Sequence, residues 1–305
     1  MSRAMFDVQT VRNEPMNPLT SISPKPRSLI VFFTLSFLIS WAVWMPALLG
    51  SHDLIAFKIA PTLSGLLGAI GPSLAALITI AIYDGKPGFR DWLKRLLTWR
   101  VGLRWYLFVL LWASSLSLTV TVGSILLGSP APDFTQLPFV EVFADLPPAL
   151  ANLSPFIFLP FFFFQQLLFG SSMGEEPGWR GYALPRMRFQ HGSWRAGILL
   201  GLLWGLWHLP LWLTKGNAAQ ETFIVWHYLE LVATSVLFEW VYKNTQGSLL
   251  LALLFHASIG VTGLFLASVE LYPWMSATLS WGVALLAMRL SQNANGYKAL
   301  GLKSI

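Results

Sequence analysis

Apolar residues come in long runs along this chain, separated by short polar segments that hold nearly all of its charge. Eight runs stand out, at about 28–50, 57–83, 105–128, 151–173, 196–214, 222–242, 247–268 and 271–289. Each is long enough to cross a hydrocarbon core of ~30 Å as a helix. The strict alternation of a membrane β-barrel is absent, and helices satisfy their own backbone groups in lipid. The pattern therefore predicts an all-α polytopic membrane bundle of about eight transmembrane helices. The first run is followed by Pro46 and bulky residues rather than a small-residue cleavage site, so it reads as a retained span.

Composition agrees. Of the 305 residues 55% are hydrophobic and 11% charged, against about 25% charged in a soluble domain. With no cysteine, disulfide frameworks, thiolate nucleophiles and zinc knuckles are excluded. The net charge of +6 is a topology signal rather than a nucleic-acid signal. With the N-terminus inside, all but Lys58 and Lys215 of the 20 Lys and Arg fall on the cytoplasmic side. Asp53, Asp133, Glu141, Asp145, Glu221 and Glu270 fall outside. Both termini are thus expected to be cytoplasmic, in a multi-pass protein of the cytoplasmic membrane.

One membrane domain over 28–291 is expected. A flexible tail, 1–27, precedes it and a short basic tail, 292–305, follows. Within the domain, residues 87–103 alternate Phe89, Trp92, Leu93 and Leu96 with Arg90, Lys94, Arg95 and Arg100. This predicts an amphipathic helix in the inner headgroup layer, its basic face toward anionic lipid. Arg186, Arg188 and Arg195 read as topology determinants.

Ionisable groups inside a span are costly and mark candidate sites. Glu175 and Glu176 end the fourth run, His208 lies deep in the fifth, and His256 lies deep in the seventh. If their segment is helical, Glu176 and Arg180 stand at i and i+4, within ion-pair reach. Glu175 points about 100° away and lacks that partner. Glu176 is then the fixed structural carboxylate, and Glu175 the candidate general base. Pro177 is expected to break the helix and start a new one.

The order Glu175-Glu176-x-x-x-Arg180, an aromatic (Trp204) four residues before His208, and His256 in a late helix resembles the CPBP family. These are the CAAX prenyl endopeptidase and bacteriocin-processing intramembrane proteases, also called the abortive-infection family. The resemblance covers about residues 150–265. It implies a metal-independent, glutamate-dependent endopeptidase on an eight-helix bundle, with Glu175 and His208 activating water and His256 stabilising the oxyanion. It makes Glu176 and Arg180 supporting residues. The implied partners are the bilayer and a membrane-associated peptide, prenylated or bacteriocin-type, approached from the cytoplasmic side; no nucleic acid is implied. Trp204 replaces the family's usual Phe, which reads as a packing change. Gly260 stands where the family carries Asn or Asp, removing a second oxyanion donor, a loss on the order of 10²–10³ in rate. On that reading Gly260→Asn raises activity or leaves it unchanged.

Two other readings use the same residues. Glu175, His208 and His256 supply the donor types of a catalytic zinc site. Alternatively the chain is a non-catalytic transporter or immunity scaffold, with His227 and Glu230 in the sixth run as relay groups.

Overall fold

The computed structural model describes residues 26–133, 137–142, 153–216, 224–266 and 272–299. Among the described residues the fold is all helical. Helix α1 spans Pro26–Ser51, followed by α2 (Pro61–Ala69), α3 (Gly71–Tyr83), α4 (Gly85–Leu96), α5 (Leu103–Leu126) and the short α6 (Pro138–Val142). A 3₁₀ turn at Pro155–Phe158 leads into α7 (Leu159–Phe169), α8 (Ser171–Gly178), a π turn at Trp179–Ala183, and α9 (Leu184–His191). Then come α10 (Ser193–Trp207), α11 (Leu209–Leu213), α12 (Ile224–Asn244), α13 (Leu249–Phe265) and α14 (Pro273–Ala299).

Among the described residues, five helical stretches have the length and apolarity of membrane spans: Arg27–Ser51, Pro61–Tyr83, Leu103–Leu126, Pro155–His191 and Ile224–Asn244. The other three apolar runs correspond to α10 with α11, the shorter apolar α13, and α14. Most of the two tails, and most of the segment from 134 to 152, lie outside the described residues. Helix α14 continues to Ala299, into the segment expected to be a tail.

Proline and small residues shape the bundle near its centre. The second run is two helices, because Pro72 at the start of α3 has no N–H to continue the ladder from α2. Ser40 Oγ donates to Gly68 O at 2.7 Å and Trp44 Nε1 to Ser64 O at 2.9 Å, tying α1 to the exposed carbonyls of α2. Helix α8 crosses the α2–α3 junction at close range: a Cβ on Gly174 would stand 2.6 Å from Ala69 O in α2, and one on Gly178 would collide with Pro72 O in α3. Backbones approach this closely only through small residues.

The fourth run departs from the expected break. Pro177 lies inside α8, and the discontinuity falls earlier, at the extended Gly170. Pro177 cannot donate to Met173 O, one turn back, but Ser73 Oγ does so at 2.8 Å. The carbonyl a proline would strand is therefore satisfied from the neighbouring helix. Further on, Trp92 Nε1 donates to Pro177 O at 3.0 Å and Arg95 Nη1 to Gly181 O at 3.4 Å. The second of these contacts lies within the widened π turn.

The same contacts correct the reading of the amphipathic segment. The helix ends at Leu96, and Arg95 is buried, also donating to Tyr242 Oη at 3.1 Å. One member of the basic face thus points into the protein. Arg186 and Arg188 behave likewise. Arg186 pairs with Asp84 at 2.5 Å, and Arg188 lies 3.3 Å from the buried Glu239.

Candidate active site

Three helices meet at one buried polar cluster. Helix α8 and the following π turn bring Glu175, Glu176 and Arg180, all buried. Trp204 and His208 come from the end of α10, and His256 from the middle of α13. These are the residues singled out in the sequence, and the fold places them side by side.

Glu176 is the anchor. Its Oε1 accepts from Arg180 Nη1 at 3.0 Å and from His256 Nδ1 at 2.8 Å. Arg180 also donates to Ser235 Oγ at 3.4 Å, and its guanidinium lies 4.3 Å and 4.0 Å from the Trp204 and Phe238 ring centres. A buried charge held by one carboxylate and two aromatic faces is fixed in orientation. Glu176 thus supports His256 as well as Arg180, a link that spacing along one helix could not reveal.

Glu175 has a different environment. Its Oε2 accepts the indole N–H of Trp204 at 2.6 Å, and its Oε1 lies 4.0 Å from His256 Nε2, beyond hydrogen-bond length. Trp204 is therefore more than a packing substitute for Phe. Its ring centre also lies 5.6 Å from that of His208 and 5.9 Å from that of His256, so it touches every part of the cluster.

His208 Nδ1 donates to Trp204 O at 2.8 Å. A carbonyl only accepts, so the proton sits on Nδ1, and Nε2 of the neutral ring is an acceptor. Beside this ring opens a cavity of about 420 Å³ whose wall includes His208, His256 and Trp204. Glu175 stands one residue back from that wall, bonded to Trp204. The cavity extends toward His227, Glu230 and Tyr272. The two residues read as a separate relay thus line the same space as His208. Those residues lie near the start of α12 and α14, away from Lys243 and Arg289 on the same helices. On the orientation read from the charges, these residues belong to the outer half of the bundle.

Gly260 lies one turn past His256, and its open side is occupied. A Cβ there would stand 2.7 Å from Gln166 Nε2. Neither Gln166 nor Ser171, which bridges it to His256, was singled out in the sequence. The available signal was a Gln165-Gln166 pair in an otherwise apolar run, since amides in a span seek partners on other helices. Among the described residues, no group of three or more His, Asp or Glu side chains is arranged to hold a metal. The zinc set of Glu175, His208 and His256 is not such a group.

A family model described as type II CAAX prenyl endopeptidase Rce1-like matches residues 155–262. Over that core the chain is similar to Rce1-like endopeptidases. The range contains Glu175, Glu176, Arg180, Trp204, His208, His256 and Gly260. Beyond it, the chain is 26% identical over 254 residues to CAAX prenyl protease 2 of Methanococcus maripaludis, covering 79% of this chain and 85% of the relative. The likeness to a CAAX prenyl protease therefore extends beyond residues 155–262.

Proposed function

We propose that the protein is a membrane-embedded CAAX prenyl protease-like endopeptidase whose chemistry is carried by Glu175, His208 and His256 without a metal. The observation that carries this reading is the unequal partnering of the two adjacent carboxylates. Each has one oxygen without a hydrogen bond, but Glu176 is held through Oε1 by Arg180 and His256, whereas Glu175 is held only by the neutral indole of Trp204, with Oε1 4.0 Å from His256 Nε2.

In this mechanism a water bound at the His208 end of the cavity is held by the lone pair of His208 Nε2. Glu175 takes its proton as the hydroxide attacks the carbonyl carbon of the scissile peptide. The carbonyl oxygen becomes an oxyanion, and His256, an imidazolium whose Nδ1–H is on Glu176, donates to it from Nε2–H. As the tetrahedral intermediate collapses, the C–N bond breaks and Glu175 returns the proton to the leaving amine. The names of the similar proteins favour a C-terminally prenylated protein as substrate, with its lipid in the bilayer and the peptide in the cavity. A bacteriocin-type leader would need the same peptide chemistry without the lipid.

A farnesylated CAAX peptide and its unprenylated counterpart, offered to the protein in lipid nanodiscs, test the assignment. Cleavage of the first is expected, abolished by Glu175→Ala and by His208→Ala in protein that still folds, and retained in excess chelator. Wild-type turnover in either variant would sink the mechanism.

A further inference from the structure

The carboxamide of Gln166 is held between two glycines on different helices. A Cβ on Gly260 would press on its Nε2, and one on Gly170 would collide with its Oε1. Gly170 has φ −100° and ψ −162°, an extended conformation open to any residue. Backbone freedom therefore does not explain a glycine at 170, whereas the close approach of Gln166 does, since a Cβ there would meet both its amide and, at 2.8 Å, its Cα. From this slot Gln166 Nε2 donates to Ser171 Oγ at 2.7 Å, and Ser171 Oγ lies 3.1 Å from His256 Nε2.

A serine hydroxyl is a free rotor unless one of its lone pairs is taken. The Gln166 amide takes one, which leaves the other to accept from the Nε2–H of the His256 imidazolium. The opposite ring nitrogen, Nδ1, is on Glu176 at 2.8 Å. A ring anchored at both nitrogens cannot turn over, because a flip would put carbon atoms against both partners.

We propose that Gln166, acting through Ser171, is a positioning residue of the reaction, holding the His256 ring so that Nε2 stays on the Glu175 side of the cluster. The inference rests on the role given to His256 above. It also means that the amide from α7 occupies the volume a side chain at position 260 would fill.

Gln166→Ala is expected to lower kcat on the farnesylated peptide by on the order of 10²-fold, the cost of a small misplacement of a reacting group, with KM little changed. Gly260→Asn alone should also lower kcat, because the new side chain meets the Gln166 amide. Combining Gln166→Ala with Gly260→Asn should recover part of the loss, since an amide from α13 then enters the vacated slot. A second readout does not depend on turnover. With ¹⁵N-labelled histidine, the His256 Nε2 resonance, assigned by its loss in His256→Gln, should shift in Gln166→Ala and in Ser171→Ala but not in the lipid-side Leu168→Ala. Wild-type kcat in Gln166→Ala, no recovery in the double variant, or an unshifted resonance each overturns the proposal. If Gln166→Ala does not fold, Ser171→Ala cuts the same chain one link on and is judged by the same two readouts. If the wild-type protein leaves the peptide intact, the peptidase reading fails, and the resonance still decides whether Gln166 positions His256.

Discussion

The indole N–H of Trp204 donates to Glu175 Oε2 at 2.6 Å, joining the end of α10 to the one carboxylate of the site that lacks an arginine partner. Removing this donor leaves a buried acceptor short of a hydrogen bond, at a cost of about 1–3 kcal/mol. Trp204→Phe should therefore lower the unfolding temperature in detergent and reduce kcat. Unchanged values of both would mean that the indole serves only as packing.

Breaking the pair at the base of the site should be more severe. Arg180→Ala strands Glu176 in the interior, where an unpaired charge costs about 3–5 kcal/mol, so low yield and early thermal unfolding are expected. Glu176→Gln removes the negative charge that holds both Arg180 and His256, so whatever folds should have much lower activity. A stable, fully active Glu176→Gln protein would remove Glu176 from the support of His256.

The amphipathic helix α4 is predicted to matter through Arg95 rather than through charge against lipid. Arg95→Ala leaves Tyr242 Oη and Gly181 O without their donor, worth about 1–3 kcal/mol together. Lys94, which is exposed, is the contrast. Lys94→Ala should leave the unfolding temperature unchanged, and an equal loss in both variants would refute the distinction.

The direction of the cavity can be read chemically because the chain has no cysteine. Ser276 lies on the cavity wall, and Asn244 is exposed at the basic end of α12. In right-side-out vesicles a membrane-impermeant maleimide should label the Ser276→Cys variant. The Asn244→Cys variant should stay unmodified until the membrane is opened. The reverse pattern would invert the orientation read from the charges.

Much of this protein is determined by its sequence alone. Apolar runs of about 20 residues demand helices in lipid, because no other open element satisfies its backbone there. The i, i+4 relation of Glu176 and Arg180 follows from helical pitch. The identity of the costly residues, led by Glu175, His208 and His256, follows from their position within apolar runs. Tertiary structure decided the rest, since it depends on which helices touch. Pro177 stays inside α8 because Ser73, from another helix, satisfies the carbonyl that proline strands. Arg95 turns inward because a carbonyl of the π turn and Tyr242 wait for it. Trp204 reads as packing along the chain and becomes a hydrogen-bond donor once α10 lies against α8. The absent side chain of Gly260 is room for Gln166, about a hundred residues away, and no local pattern reports a contact made across a bundle.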